Sequence, residues 1–202
     1  MKTIYILLFV MAMFSVGHSQ TAEQLYTNSG IVKINNEDYK GAIIDFTKAI
    51  EINPNYVDAY YNRGVAKNAM QDKRGAIADY SKAIKLNPSN ALIYYNRGTA
   101  KIDLQDYRGA IVDFNKAIQL NPADDRPYAN RGMSKAMLED YQGALVDFNQ
   151  AIQLNPENAR NYYNRGLAKI KLGQKNSGCL DLNKAREMGS EDAYQAIMEN
   201  CN

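Results

Sequence analysis

The chain has 202 residues, of which 46% are apolar and 23% are charged, a composition typical of a folded, soluble protein rather than of a disordered one. Its formal net charge of +2 argues against a nucleic-acid-binding protein and against an acidic tail. The single histidine, His18, lies in the N-terminal segment. Beyond that segment the chain has no Ser-His or Cys-His nucleophile pair and no histidine metal ligand, so we expect neither enzyme activity nor a cofactor.

Residues 1–19 are predicted to be a cleavable signal peptide. The apolar run Ile4–Phe14 follows a basic residue, and it is too short to span a bilayer, which needs about 20 residues. Gly17 and Ser19 at positions −3 and −1 would place cleavage before Gln20, and Ser15 and Gly17 would place it two residues earlier. The alternative is an uncleaved N-terminal anchor. We therefore expect an exported chain, periplasmic or extracellular, without stable membrane insertion once the signal is removed.

The rest of the chain repeats with a period of 34 residues, most visibly in five glycines. These are Gly30, Gly64, Gly98, Gly132 and Gly166. If each glycine is position 8, the repeat units are 23–56, 57–90, 91–124, 125–158 and a degenerate 159–192. Apolar residues at helical spacing predict two helices in each unit, and an Asn-Pro pair ends the second helix of the first four.

A glycine inside a helix costs about 1 kcal/mol relative to alanine, so a glycine that recurs in every unit needs a common reason. The simplest reason is the close approach of the two helices. In the second unit we expect Gly64 to face Ala76 and Ala83 of the following helix.

The period, the Tyr-x3-Gly pattern of Tyr60 and Gly64, the later Ala, Phe or Tyr and Ala, and the final Pro resemble the tetratricopeptide repeat (TPR). The resemblance covers residues 23–192. It implies an all-α fold, a right-handed superhelix of antiparallel helix pairs whose first helices line a concave groove. It also implies a scaffold that holds a peptide or a helix in that groove.

Charged residues recur where the family usually has apolar or aromatic ones. Position 7 is arginine in units 2 to 5, position 11 is always lysine, and position 23 is always aspartate. We expect ion pairs between the two helices, while anion binding by the arginines is the alternative. The predicted structural ion pairs involve Arg63, Arg97, Arg131 and Arg165 with Asp45, Asp79, Asp113 and Asp147, and Asp181 continues the series.

Asparagine occupies position 6 of all five units, and the resemblance implies that this position faces the groove. Its side-chain amide offers a donor and an acceptor, so a ladder of them could hold the backbone of an extended peptide. The alternative is that these amides bond to the neighbouring helix. The predicted groove residues are Asn28, Asn62, Asn96, Asn130, Asn164, Tyr61, Tyr95, Tyr163, Met133 and Met137. Leu92 and Asn96 do not match the basic residues of the chaperone-tail-binding subgroup, so that function is rejected.

The segment 190–202 is predicted to be a helix that caps the last unit, with Tyr194, Ile197 and Met198 on its buried side. Cys179 and Cys201 are predicted to form a structural disulfide, since export exposes them to an oxidising compartment. A redox-active pair and a metal site are the alternatives, but there is no C-x-x-C motif and two thiols are too few for structural zinc.

These patterns favour a non-catalytic scaffold that binds a protein or an extended peptide. The second hypothesis is a self-assembling structural component of the cell envelope, and an enzyme comes third.

Overall fold

The computed structural model describes residues 20–201, and in this part of the chain it contains eleven helices and no strand. The predicted signal peptide, and His18 within it, lie outside the described residues. The helices are α1 Ala22–Asn35, α2 Tyr39–Ile52, α3 Val57–Ala69, α4 Lys73–Leu86, α5 Ala91–Asp103, α6 Tyr107–Leu120, α7 Asp125–Met137, α8 Tyr141–Leu154, α9 Ala159–Lys171, α10 Lys175–Glu187 and α11 Glu191–Asn200.

The helices stack as five consecutive pairs, followed by α11. Each first helix contacts its own second helix, the second helix of the preceding pair and the neighbouring first helices. Consecutive second helices of the described chain do not contact each other. The first helices therefore lie closer together and form the concave wall, and the second helices form the outer face. This confirms the predicted α-solenoid.

The second helices of the first four pairs begin with the same local motif. In α4, the N-cap Asp72 accepts a hydrogen bond from the backbone N–H of Gly75 at 2.9 Å. A Cβ on Gly75 would lie 2.0 Å from an oxygen of the Asp72 carboxylate, so any larger residue here would force that carboxylate to move. In α10 the N-cap is Gln174, which makes no side-chain cap hydrogen bond, and Ser177 takes the place of the glycine. Glycine therefore recurs at position 19 of the first four units because it follows this N-cap aspartate by three residues.

The glycine at position 8 faces a ring rather than the expected alanines. A Cβ added to Gly64 would lie 2.7 Å from the ring of Tyr80, whereas Ala76 and Ala83 are not among its nearest neighbours. The expectation for Gly64 was wrong because the buried aromatic side chain of the second helix lies across the first helix. In the last unit Leu182 replaces that ring, and Gly166 approaches the backbone of α10 directly.

The capping helix α11 packs on α9 and α10, but not through the side chains expected from the sequence. Ala193 and Ala196 are buried, whereas Tyr194 is 62% and Met198 is 55% exposed. Of the predicted apolar face only Ile197 is partly buried, because the helix approaches its neighbours through its small residues. A disulfide between Cys179 and Cys201 joins α10 to the end of α11.

Candidate binding groove

Arginines at position 7 connect each unit to the one before it on the outer side of the first helices. The Nε and Nη2 atoms of Arg97 donate to the two carboxylate oxygens of Asp113, at 3.0 and 2.6 Å. Its Nη1 donates to Ser81 of the preceding second helix at 3.0 Å. Arg63, Arg131 and Arg165 make the same contacts with Asp79, Asp147 and Asp181, and with Thr47, Asn115 and Asn149 of the preceding units. These guanidinium groups are therefore engaged in the framework rather than presented to an anion.

The first unit carries Ser29 where the others carry arginine, and the described part of the chain has no second helix before α1 to bridge. Ser29 donates to Asp45 at 2.7 Å, and Lys33 pairs with the same carboxylate at 2.6 Å. Burial alone would raise the pKa of Asp45, but these two partners outweigh it and hold that pKa below its ordinary value. Among the described units, position 7 is thus arginine wherever a preceding second helix accepts one of its hydrogen bonds.

The asparagines of position 6 lie on the concave wall, and two of them form a ladder with tyrosines of the preceding unit. Asn96 Nδ2 donates to the Tyr61 hydroxyl at 3.0 Å, and Asn130 Nδ2 donates to the Tyr95 hydroxyl at 3.4 Å. Asn62 instead donates to the Asp58 carbonyl of its own helix at 2.8 Å. The side chains are part-buried, and the acceptor oxygens of Asn96 and Asn130 are not used in these bonds. Bonding to a neighbouring helix, the alternative raised from the sequence, therefore describes one donor of Asn96 and one of Asn130, but neither their amide oxygens nor Asn62.

The tyrosines of position 5 contribute a ring to the core and a hydroxyl to the groove. The ring centroids of Tyr61 and Tyr80 are 6.1 Å apart, as are those of Tyr95 and Phe114. Burial raises the pKa of Tyr61, although the hydrogen bond from Asn96 acts in the opposite direction. The Tyr61 hydroxyl is therefore a neutral donor and acceptor at physiological pH.

Two adjoining cavities lie on the concave side between α7 and α9. The apolar one has a volume of about 270 Å³, and Met133, Met137 and Leu167 are among the residues that line it. The polar one has a volume of about 170 Å³, and Met133 and Asn164 line both cavities. The sequence placed Met133, Met137 and Asn164 in the groove, but it did not predict that they would surround cavities.

The polar cavity is also lined by Asn161, which the sequence did not single out. This residue is 1% exposed, and its Nδ2 has no hydrogen-bond partner. Its signal in the sequence was an asparagine at position 3, where the other units carry Leu25, Ala59, Ile93 and Pro127. Arg126 lies at the same cavity, 4.9 Å from the Tyr95 ring centroid and paired with Asp124, whose pKa it lowers through that hydrogen bond.

The described residues meet neither the requirements of a metal site nor those of a membrane-spanning helix. Between residues 20 and 201, no group of three or more His, Cys, Asp and Glu side chains is arranged to hold a metal ion. Over the same range, none of the helices combines the length and the apolar character that a membrane span requires.

The chain is similar to known proteins both in the pattern of its repeats and in its fold. The tetratricopeptide repeat model matches residues 57–90 and 91–124, and the TPR repeat model matches residues 34–71 and 136–173. Together these matches cover more than half of the chain. No curated protein matches it.

Several solved structures share the fold along most of their length. MamA has a TM-score of 0.77 at 25% identity, over 82% of this chain and 96% of that chain. YrrB, described as a TPR protein with an unusual peptide-binding site, has a TM-score of 0.77 at 22% identity, over 86% of this chain and 90% of that chain. The pilF protein of Pseudomonas aeruginosa has a TM-score of 0.74 at 20% identity, over 84% and 78%. The repeat pattern, the helix-pair solenoid and the family matches agree, and the chain belongs to the tetratricopeptide repeat family.

Proposed function

We propose that this protein is a non-catalytic scaffold that binds a protein or an extended peptide in its concave groove. The observation that carries the proposal is the row of asparagine amides at one register of the first helices. Asn96 and Asn130 are each held by a tyrosine of the preceding unit, which leaves the amide oxygen as an acceptor. An extended peptide presents its backbone N–H groups at regular intervals, so fixed acceptors along the wall can bind it with little dependence on its side chains.

The relatives support this choice of ligand without identifying it. TPR proteins commonly bind proteins or peptides, and YrrB, which shares the fold, is described as having a peptide-binding site. Apolar residues at position 9 of the first helices, among them Val65, Met133 and Leu167, add adaptable contacts around the amides, as methionines do on other contact surfaces.

We also propose that the chain acts outside the cytoplasm, after removal of residues 1–19. The disulfide between Cys179 and Cys201 supports this location, because such bonds persist in oxidising compartments. Cleavage is tested by the intact mass of the protein recovered from the source. A mature chain that begins at Gln20, or two residues earlier, is expected, and a full-length chain would contradict cleavage and favour the uncleaved anchor.

The groove is tested with a library of extended eight-residue peptides, acetylated and amidated at their ends, and binding measured by fluorescence anisotropy. Replacing Asn96, Asn130 and Asn164 together by alanine removes the acceptors, and we expect the affinity for selected peptides to fall about tenfold or more. Helicity should be retained.

The control replaces Tyr61 and Tyr95 by phenylalanine, which deletes the hydroxyl partners but keeps the groove amides. Binding should then fall by less than in the asparagine variant, since the acceptors remain but lose the hydroxyls that hold them. If the asparagine variant loses thermal stability but not affinity, the ladder is only structural. A chain that binds no peptide and sediments as an oligomer would instead support the second hypothesis, a self-assembling envelope component.

Self-assembly has one observation in its favour, an exposed aliphatic residue at position 22 of four second helices. These residues are Ile44, Val112, Val146 and Leu180, which are 57–71% exposed. Lysines at position 26 lie one helical turn away on most of the same helices, so two copies that met through this face would bring like charges together. We therefore favour the groove.

A further inference from the structure

Unit 4 differs from the other units at two positions of α7 that face α9. Position 5 is tyrosine in units 2, 3 and 5 but Ala129 in unit 4, and position 12 is isoleucine in units 1, 3 and 5 but Ala136 in unit 4. Ala129 lines the polar cavity, and Ala136 lines the apolar cavity. The space between α7 and α9 is therefore open because unit 4 carries alanine at two positions where other units carry tyrosine or isoleucine.

The first difference also interrupts the amide ladder. Asn96 and Asn130 each donate to the tyrosine hydroxyl of the preceding unit, but the residue that would serve Asn164 is Ala129. Within the described chain the Asn164 side chain has no hydrogen-bond partner. One helical turn earlier, Asn161 Nδ2 is buried and also unpartnered. An unsatisfied buried polar group costs about 1–3 kcal/mol, so a ligand acceptor that reached the Asn161 amide would remove an existing penalty. Asn164 is only half-buried and offers a further donor beside it.

A cation lies at the same place. Arg160 lines the polar cavity and has no ion pair among residues 20–201, whereas the guanidinium of Arg126 is held by Asp124. The acids that face Arg160 from α11 are Glu191 and Asp192, with which it shares a separate depression. A ligand carboxylate would therefore meet an unpaired guanidinium beside two amide donors.

We propose that the junction of α7 and α9 is the anchoring subsite of the groove, selective for an extended peptide with a bulky apolar residue next to an acidic one. The apolar side chain fills the cavity lined by Met133, Met137 and Leu167. The acidic side chain and a neighbouring carbonyl accept hydrogen bonds from Arg160, Asn161 and Asn164. This inference rests on the proposed function and specifies the sequence that the groove selects.

Both cavities can be closed with residues that sister units already carry at the same register. Ala136→Ile fills the apolar cavity, and Ala129→Tyr fills the polar one while supplying Asn164 with a hydroxyl. The matched control is Ala78→Ile on the outer face of α4, where the first unit carries Ile44. Circular dichroism melts of all three variants establish that they fold.

The probe is the amidated eight-residue library, screened first against the unaltered mature chain. We expect selected peptides to share an apolar-acidic pair and to lose affinity about tenfold or more in each cavity variant but not in Ala78→Ile. Free-acid versions of the same peptides should bind no more tightly, since a side-chain carboxylate is recognised.

The other outcomes separate the two proposals. If peptides bind through the groove asparagines but are indifferent to both cavity variants, or show no apolar-acidic pair, the subsite is overturned and the groove stands. Tighter binding of the free acids would assign the cationic end to a terminal carboxylate and would also overturn the side-chain specificity. If no peptide binds the unaltered chain, the groove function itself fails.

Discussion

Position 15 carries the backbone strain of each repeat. Glu37, Gln71, Gln105 and Glu139 have φ values of 61 to 65°, and Gly173 at the same register has a φ of 76°. These residues follow the end of each first helix, where a left-handed conformation lets the next N–H groups return to the last carbonyls. Only the fifth unit places glycine there, although glycine is the residue that adopts this conformation without steric cost.

The first four units should therefore be stabilised by glycine at position 15. Gln71→Gly is expected to raise the free energy of unfolding by about 1 kcal/mol, because relief of the left-handed strain exceeds the entropic cost of glycine. The reciprocal change, Gly173→Ala, should lower it by a similar amount. Thermal melts of both variants check the pair. A lower melting temperature for Gln71→Gly would mean that its side chain stabilises the turn more than its backbone strains it.

The junctions between helices depend on the geometry of a guanidinium group as much as on its charge. Arg97 joins three elements, since it extends from α5 to Asp113 on α6 and to Ser81 on α4. Lys101 pairs with the same carboxylate, so the charge of Asp113 would remain compensated without the arginine. Only arginine has a planar group with several N–H donors that can bond to two helices at once.

Arg97→Lys is accordingly expected to destabilise the protein by about 2 kcal/mol, since lysine keeps the charge but cannot reproduce the three hydrogen bonds. Urea denaturation measures the effect. The matched control is Arg108→Lys on the exposed face of α6, which should change stability by less than about 0.5 kcal/mol. Equal effects at the two sites would show that position 7 needs only a positive charge and not hydrogen bonds to two helices.

The whole solenoid could be predicted from the sequence because one unit is repeated five times. The predictions that were wrong have a common cause. Residues that bond within one unit, such as Arg97 and Asp113, recur together in successive units, so the sequence alone indicates that they pair. The ring above Gly64 and the alanine face of α11 depend on how closely helices approach, which no spacing reveals. The cavities are formed by residues of two neighbouring units. Ala129 and Asn164 come together only when α7 and α9 lie side by side, so neither residue predicts a cavity from its own unit.

At the C-terminal end of the molecule, the cap depends on its covalent link. The contact of α11 with the solenoid is made mainly by Ala193 and Ala196, which bury little apolar area, so the disulfide should contribute a large share of its attachment. Cys201→Ser is expected to cost about 3 kcal/mol by loop-closure entropy. Hydrogen exchange should show loss of protection in α11 while α3 to α8 stay protected.

Reduction of the unaltered chain is the control and should reproduce the same pattern of exchange. Uniform loss of protection along the chain would indicate that the cap and the repeats unfold as one unit, and unchanged protection in α11 would mean that packing alone holds it.

The residues that set the shape of the solenoid are different from the residues that line its groove. The spacing of the units is held from the outer side by Arg, Lys and Asp that scarcely vary, whereas position 9 of the groove reads Ile31, Val65, Thr99, Met133 and Leu167. Mutations inside the groove can therefore accumulate without altering its curvature. A lineage built on this framework could exchange one ligand for another by changing a few inward side chains, with its architecture held constant throughout.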